Sequence, residues 1–133
     1  MKALLPPELP EPFARYSHGI QVPVTGELIV TSGQLGMHKD GTIPPGAQAQ
    51  AELCFSYIDA ILAQGGAGRR NILRVNAYVT EREHMAGYMA ARDAFFAGIL
   101  PPPASTLMLV GGFTRPEFVV EVEVLAIRSP IMG

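Results

Sequence analysis

The sequence predicts an α+β protein: a mixed β-sheet with two helices packed on one face, in the order strand, strand, helix, strand, helix, strand, strand. Two observations carry that prediction. Apolar residues recur at helical spacing in two stretches, each closed by glycine, and at two-residue spacing in the stretches around Val75 and Val122. Moreover, 133 residues with 48% hydrophobic content suffice for one core, and no internal linker divides the chain, so residues 1–133 are expected to form a single domain.

The elements follow in order. After a proline-rich lead, Arg15 to Val22 suits a strand, and Gly26 in VPVTGE turns the chain into a second, Leu28 to Ser32, so the two read as a hairpin. GQLGMHKDGTIPPG then reads as a loop delivering the chain to a helix that begins near Ala47. Ala47, Ala51, Cys54, Ile58, Ile61 and Leu62 give this helix one apolar face, and the glycines of QGGAG end it. In Ile72 to Thr80, Val75, Ala77 and Val79 alternate with Arg74, Asn76 and Tyr78, as in a strand with one face on a core. Thr80 and Glu83 have capping-box spacing and open a second helix with Met85, Tyr88, Met89, Phe95 and Phe96 on its apolar side. Gly98 and the prolines at 101–103 stop it. Pro101 to Ile127 reads as two strands around a turn. With right-handed crossovers both helices share one sheet face, leaving the other bare for contacts between copies of the chain.

Composition excludes several function classes. A positive mean hydropathy with only 17% charged residues suggests that apolar surface is buried against other copies of the chain. No apolar run is long enough to span a bilayer, and MKALLPPELP breaks into prolines before a signal-peptide core could form, so a soluble, cytoplasmic protein is expected. The 10 Lys+Arg against 12 Asp+Glu give no general attraction for nucleic acid or anionic membranes. Cys54 is alone, so it cannot form an internal disulfide, and it reads as core. His18, His38 and His84 are scattered, and no Cys/His spacing resembles a metal site. GQLG and GGAG lack the pattern of a phosphate loop, and no serine sits in a nucleophile elbow. No cofactor is expected.

Two features remain as candidate chemistry. Glu121 and Glu123 stand two apart in an apolar strand and so share one face with Val119, Leu125 and Ile127, while Val120, Val122, Val124 and Ala126 line the other. A carboxylate half-buried beside a like charge holds its proton more tightly, which suits acid/base work; the plainer reading is a wet end of the face. In Ser32 to Gln34, Gly33 at a strand end lets a ligand approach the backbone, or simply makes a β-turn.

RYSHGI, TSGQLG, AQAQAELCFSYIDAILAQGGAG, ILRVNAYVTEREHM, the AFF helix end, PPAST and VEVEVLAI follow one another as in the Rid family, also called YjgF/YER057c/UK114. The chain resembles that family from about Tyr16 to Ile127. The resemblance implies a chorismate-mutase-like fold assembled as a homotrimer, with ligand clefts between subunits. For the best-known members it implies hydrolysis of enamines and imines, such as 2-aminoacrylate, to keto acids and ammonia without metal or organic cofactor.

Residue by residue the match is uneven. Tyr16 falls on the family's cleft tyrosine, Gly33 on the glycine whose backbone meets the ligand, and Glu121 on the glutamate associated with the hydrolytic water. The family's signature arginine aligns with Ser105 in Pro103-Ala104-Ser105-Thr106 and is absent. A guanidinium grips a carboxylate through two charge-assisted bonds, and exchanging one for a hydroxyl forfeits about 1.5–3 kcal/mol. An asparagine common in the family is replaced by Met89. Arg15, Arg74 and Arg115 are the arginines considered as substitutes, Arg74 more as a structural residue.

On this reading the chain is a divergent deaminase of a small enamine or imine. Glu121 exchanges the water's proton, Tyr16 and Gly33 position the substrate, and Ser105 or Thr106 hydrogen-bonds the part the arginine would have held. The alternative is a non-catalytic trimer that binds a metabolite; endoribonuclease activity would need a basic groove that the charge balance does not supply.

Overall fold

A computed structural model describes residues 1–129. Its elements are β1 (Lys2–Leu4), β2 (Gly19–Gln21), β3 (Glu27–Val30), β4 (Gln34–Leu35), α1 (Ala47–Gln64), β5 (Ile72–Val79), α2 (Met85–Phe95), β6 (Ala104–Leu109) and β7 (Val120–Arg128). The main sheet runs β3-β7-β5-β6, with β4 also paired to β7. Only β5 and β6 are parallel; β7 is antiparallel to each of its partners. This is the α+β architecture expected, with an extra strand at the N-terminus and a two-residue strand inside the segment read as a loop.

Both helices cover one face of the sheet. Val75, Ala77 and Val79 of β5 and Val120, Val122, Val124 and Ala126 of β7 are buried against Cys54, Phe55, Ile58 and Leu62 of α1 and Tyr88 and Phe95 of α2. A register irregularity between Ile72 and Arg74 lets Ile72 and Val75 both face this core. Helix α1 ends as its glycines require: Gly66 is left-handed at φ +77°, and the Ala67 N–H donates to Leu62 O at 2.8 Å. Where the helices cross, a Cβ on Gly87 would come within 2.9 Å of Gln48 N, so glycine permits their close approach. Ile61, read on the apolar face, turns partly outward. No described helix is long and apolar enough to cross a membrane.

Three expectations are corrected. Of the segment Arg15 to Val22 only Gly19–Gln21 is a strand, and it pairs with Lys2–Leu4 rather than with β3. Ser17 instead donates its N–H to Pro103 O and its hydroxyl to Pro102 O, tying residues 15–18 to the edge of β6, while β3 pairs with the longer β7. Next, β6 and β7 are not neighbours. β5 lies between them, because the crossover through α2 returns β6 parallel to β5. Finally, the capping box at Thr80 and Glu83 does not form. The Thr80 N–H is still held by Val119 O at the sheet end, a 3-10 turn over Arg82–His84 intervenes, and α2 begins at Met85 without a side-chain cap.

The sheet's uncovered face carries Leu28 and Val30 of β3, both 63% exposed, with Leu125 and Ile127 of β7 beside them and Met108 of β6 at the far edge. Isolated apolar side chains on a surface are ordinary, but a contiguous set on a sheet face marks a contact surface.

Candidate functional site

A bulge builds the first half of the site. Val30 faces Leu125, whereas Gln34 faces Val122, so four steps along one strand span three along the other. Buried Thr31 stabilises the irregularity. Its N–H donates to Val124 O, and its hydroxyl accepts the Val124 N–H at 3.0 Å, replacing the lost ladder bond. The bulge sets Gly33 against Glu121. A Cβ at Gly33 would lie 2.6 Å from the Glu121 carboxyl carbon, so only glycine leaves that carboxylate where it stands. Burial first, and the neighbouring Glu123 second, raise the Glu121 carboxyl above its ordinary pKa.

Glu123 belongs to a different set of contacts. Its carboxylate accepts from Asn76 Nδ2 and the Tyr78 hydroxyl, each at 3.2 Å, and Arg74 in turn donates to Asn76 Oδ1 and to the Thr106 hydroxyl. Desolvation and Glu123 together push the Tyr78 phenol up. This chain of bonds runs across the open face, and it absorbs Thr106 and Arg74. Glu121 stands outside it. The two carboxylates thus divide as the strand pattern allows, one tied down and one available.

The second half of the site lies at the edge of the sheet on its helix-covered side. Tyr16, positioned by the Ser17 bonds to β6, lines a cavity of about 230 Å3 with Met85 and Met89 of α2 and Ser105 and Leu107 of β6. Phe13 and His18 meet Tyr16 edge to face at 5.7 and 5.8 Å. Neither Gly33 nor Glu121 lines this cavity. Ser105 pairs with core residue Val75, whereas Thr106 pairs with Asn76, so the two neighbours project to opposite faces. Ser105 and Glu121 likewise occupy opposite faces of the sheet.

The arginines sort themselves. Arg74 is committed to Thr106 and Asn76; Arg115 is exposed and paired with Glu117; Arg15 donates to Phe96 O at 3.4 Å. The cation that lines the cavity is Arg92, which the sequence reading did not consider. Its residue is only 4% exposed. A signal for it was present: Met85, Tyr88, Met89, Arg92 and Phe95 follow the three- and four-residue spacing of the apolar stripe of α2. Cys54 is buried, and burial, with Glu121 adding to it, pushes its thiol up to about 12, so it is inert as a nucleophile. His18 Nε2 lies 2.7 Å from Pro10 O. Among the described residues no group of three or more His, Cys, Asp or Glu is placed to hold a metal ion.

The fold and site define a small α+β protein with a carboxylate against a glycine on an open sheet face and a tyrosine-lined cavity at the sheet edge. The profile of the family described as Endoribonuclease L-PSP matches residues 7–128. The RutC family protein YjgH of Escherichia coli is 32% identical over 113 residues, covering 84% of this chain and 82% of that one. A RutC family protein of Aquifex aeolicus is 29% identical over 130 residues, covering 96% of this chain and 100% of that protein. Among solved structures, YyfB of Yersinia pestis, described as a conserved Rid-family protein of unknown function, superposes with a TM-score of 0.83 at 22% identity, covering 96% and 98% of the two chains. The chain belongs to the YjgF/Rid family, as its sequence resemblance implied.

Proposed function

We propose that this chain is a hydrolase of a small enamine or imine, acting in a cleft completed by a second copy of the chain, with Glu121 as the group that handles the proton. The observation that carries the reading is the seating of Glu121 against Gly33, outside the network that immobilises Glu123. In the proposed step a water oxygen bonds to the C=N carbon as the π pair moves to nitrogen. The Glu121 carboxylate takes the proton that the water sheds and returns it to the nitrogen, giving a carbinolamine; it then carries the hydroxyl proton to the same nitrogen, and the C–N pair leaves with nitrogen as ammonia while the oxygen pair closes the carbonyl. A raised proton affinity suits a group that both accepts and donates, because the two transfers are then more nearly balanced.

Ser105 and Tyr16 lie at the edge cavity and Glu121 on the open face, so a single small ligand meets both groups only if copies of the chain assemble. Exposed Leu28 and Val30 on the open face supply apolar area for such contacts. A homotrimer, as the resemblance implies, fits that need. An RNA substrate fits poorly, because Glu121 and Glu123 on the open face repel a phosphate backbone.

The test generates imines in place with an amino-acid oxidase and follows their disappearance by semicarbazide trapping. Acceleration above the buffer rate, lost in Glu121→Gln, supports the hydrolase. If the wild type leaves every imine at the buffer rate, the hydrolase reading fails, and if Glu121→Gln keeps full activity, the proton is handled elsewhere. Light scattering measures the assembly; a monomer would rule out the shared cleft.

A further inference from the structure

We propose that Arg92 is an anion-binding residue of the edge cavity, so that the ligand is a small carboxylate with an apolar body. The inference rests on reading the cavity as a small-molecule site, but not on any reaction occurring there.

The guanidinium of Arg92 is buried, and its only hydrogen-bonding partner among the described residues is Asp93. Nε and Nη2 both donate to the same oxygen, Asp93 Oδ1, at 3.1 and 3.0 Å. Nη1 donates to no described residue. Asp93 itself is half exposed, with a side chain 47% accessible against 5% for Arg92, so water screens its attraction for the more deeply buried guanidinium. Nη1 is not sealed from solvent, so it is the nitrogen of a largely buried guanidinium that is left open to an arriving anion.

A second unsatisfied group stands nearby. The Tyr88 hydroxyl is wholly buried and lacks a hydrogen-bond partner of good geometry, one turn of α2 before Arg92. Arg92 lies over the Tyr88 ring at 5.8 Å, and Ser105 is close enough to Tyr88 to act on its phenol. Arg92 and Ser105 thus both bring donors to the cavity lining, while the Tyr88 hydroxyl stays sealed from it. No carboxylate lines it. The apolar part of the lining includes Met85, Met89 and Leu107, side chains that accept an aliphatic or vinylic body. The cavity has room for roughly seven waters' share of liquid volume, which suits a short organic acid.

Arg92 thereby offers a cation from a helix where the family sequence pattern offers one from the neighbouring strand. A serine at 105 leaves space for it. The neutral residue at 89, one helical turn earlier on the same stripe, adds no competing polar group.

The probes are butyrate and butyramide, which share an apolar body and differ in charge, titrated into the full-length protein by calorimetry or ligand-observed NMR. Butyrate should bind at least about tenfold more tightly than butyramide. Arg92→Gln should lose that preference, and Arg92→Lys, which keeps the charge without the planar fork, should retain part of it. Arg115→Gln removes the same charge from an exposed position and should leave the preference intact. The proposal is overturned if butyrate does not bind at millimolar concentration, if acid and amide bind alike, or if Arg92→Gln keeps the preference. Because this is a binding measurement on unreactive probes, a failure of imine hydrolysis leaves its outcome untouched.

Discussion

Replacing Gly33 by alanine separates the positioning of Glu121 from the stability of the fold. The new Cβ would sit 2.6 Å from the carboxyl carbon of Glu121, 2.9 Å from Oε2 and 3.0 Å from Cγ. Comfortable carbon contact needs about 3.5 Å, so the carboxyl group must retreat by about 1 Å. Gly33 is not in the left-handed region and the atoms it meets are the far end of a flexible side chain, so the fold absorbs the methyl group at little cost. Catalysis does not. A misplacement of about 1 Å costs on the order of 10–100-fold in kcat/KM, which is about 1.4–2.7 kcal/mol of transition-state stabilisation. Thermal melting and semicarbazide-trapped imine hydrolysis, measured on the same preparation, test this. Gly36→Ala provides the contrast: its Cβ would lie 2.7 Å from the Cα and O of Gln50, where the backbone of α1 cannot retreat, so it should lower stability by about 1–3 kcal/mol. Unchanged activity in Gly33→Ala, or a melting loss as large as that of Gly36→Ala, would refute the argument.

Further outcomes follow from the same geometry. Glu121 has a folded-state pKa above its ordinary value of 4.5, so the native state holds the proton more tightly than the unfolded chain, and stability falls as pH rises through that folded pKa. Glu121→Gln should therefore melt higher than the wild type near neutral pH, with the difference shrinking as the pH drops through the folded pKa and levelling off below the ordinary value of 4.5; a variant that melts lower at every pH contradicts this sign. Gln50 is buried, donates to Pro44 O and Glu117 O, and accepts the Val119 N–H, so Gln50→Leu should cost roughly 3 kcal/mol in urea denaturation by stranding those groups. A loss below about 1 kcal/mol would mean that water reaches them.

What the sequence disclosed was periodicity. The alternation of Val120, Val122 and Val124 with Glu121 and Glu123 assigned both faces of β7 correctly, and the QGGAG glycines marked the end of α1, because side-chain direction and left-handed backbone are local properties. Strand partners are not local. Nothing in Arg15 to Val22 or in PPPAST specifies that the first lies along the second, or that β5 separates β6 from β7; those choices are made by which apolar faces the two helices cover. The candidate site divides in the same way. Glu121, Gly33, Tyr16 and Ser105 were readable through the family pattern, whereas Arg92 sits in ARDAFF, where an Arg–Asp pair looks like ordinary helix surface. Its burial depends on α2 lying over the edge of β6, with Tyr88 beneath it.

The placement of Ser105 and Glu121 on opposite faces of one sheet has a consequence for mixtures. If each working site takes Tyr16 from one copy and Glu121 from another, then Tyr16→Phe and Glu121→Gln, each crippled alone, should rescue one another when unfolded and refolded together. Random assembly of equal amounts would restore about a quarter of the sites, each drawing its intact residues from two different parents.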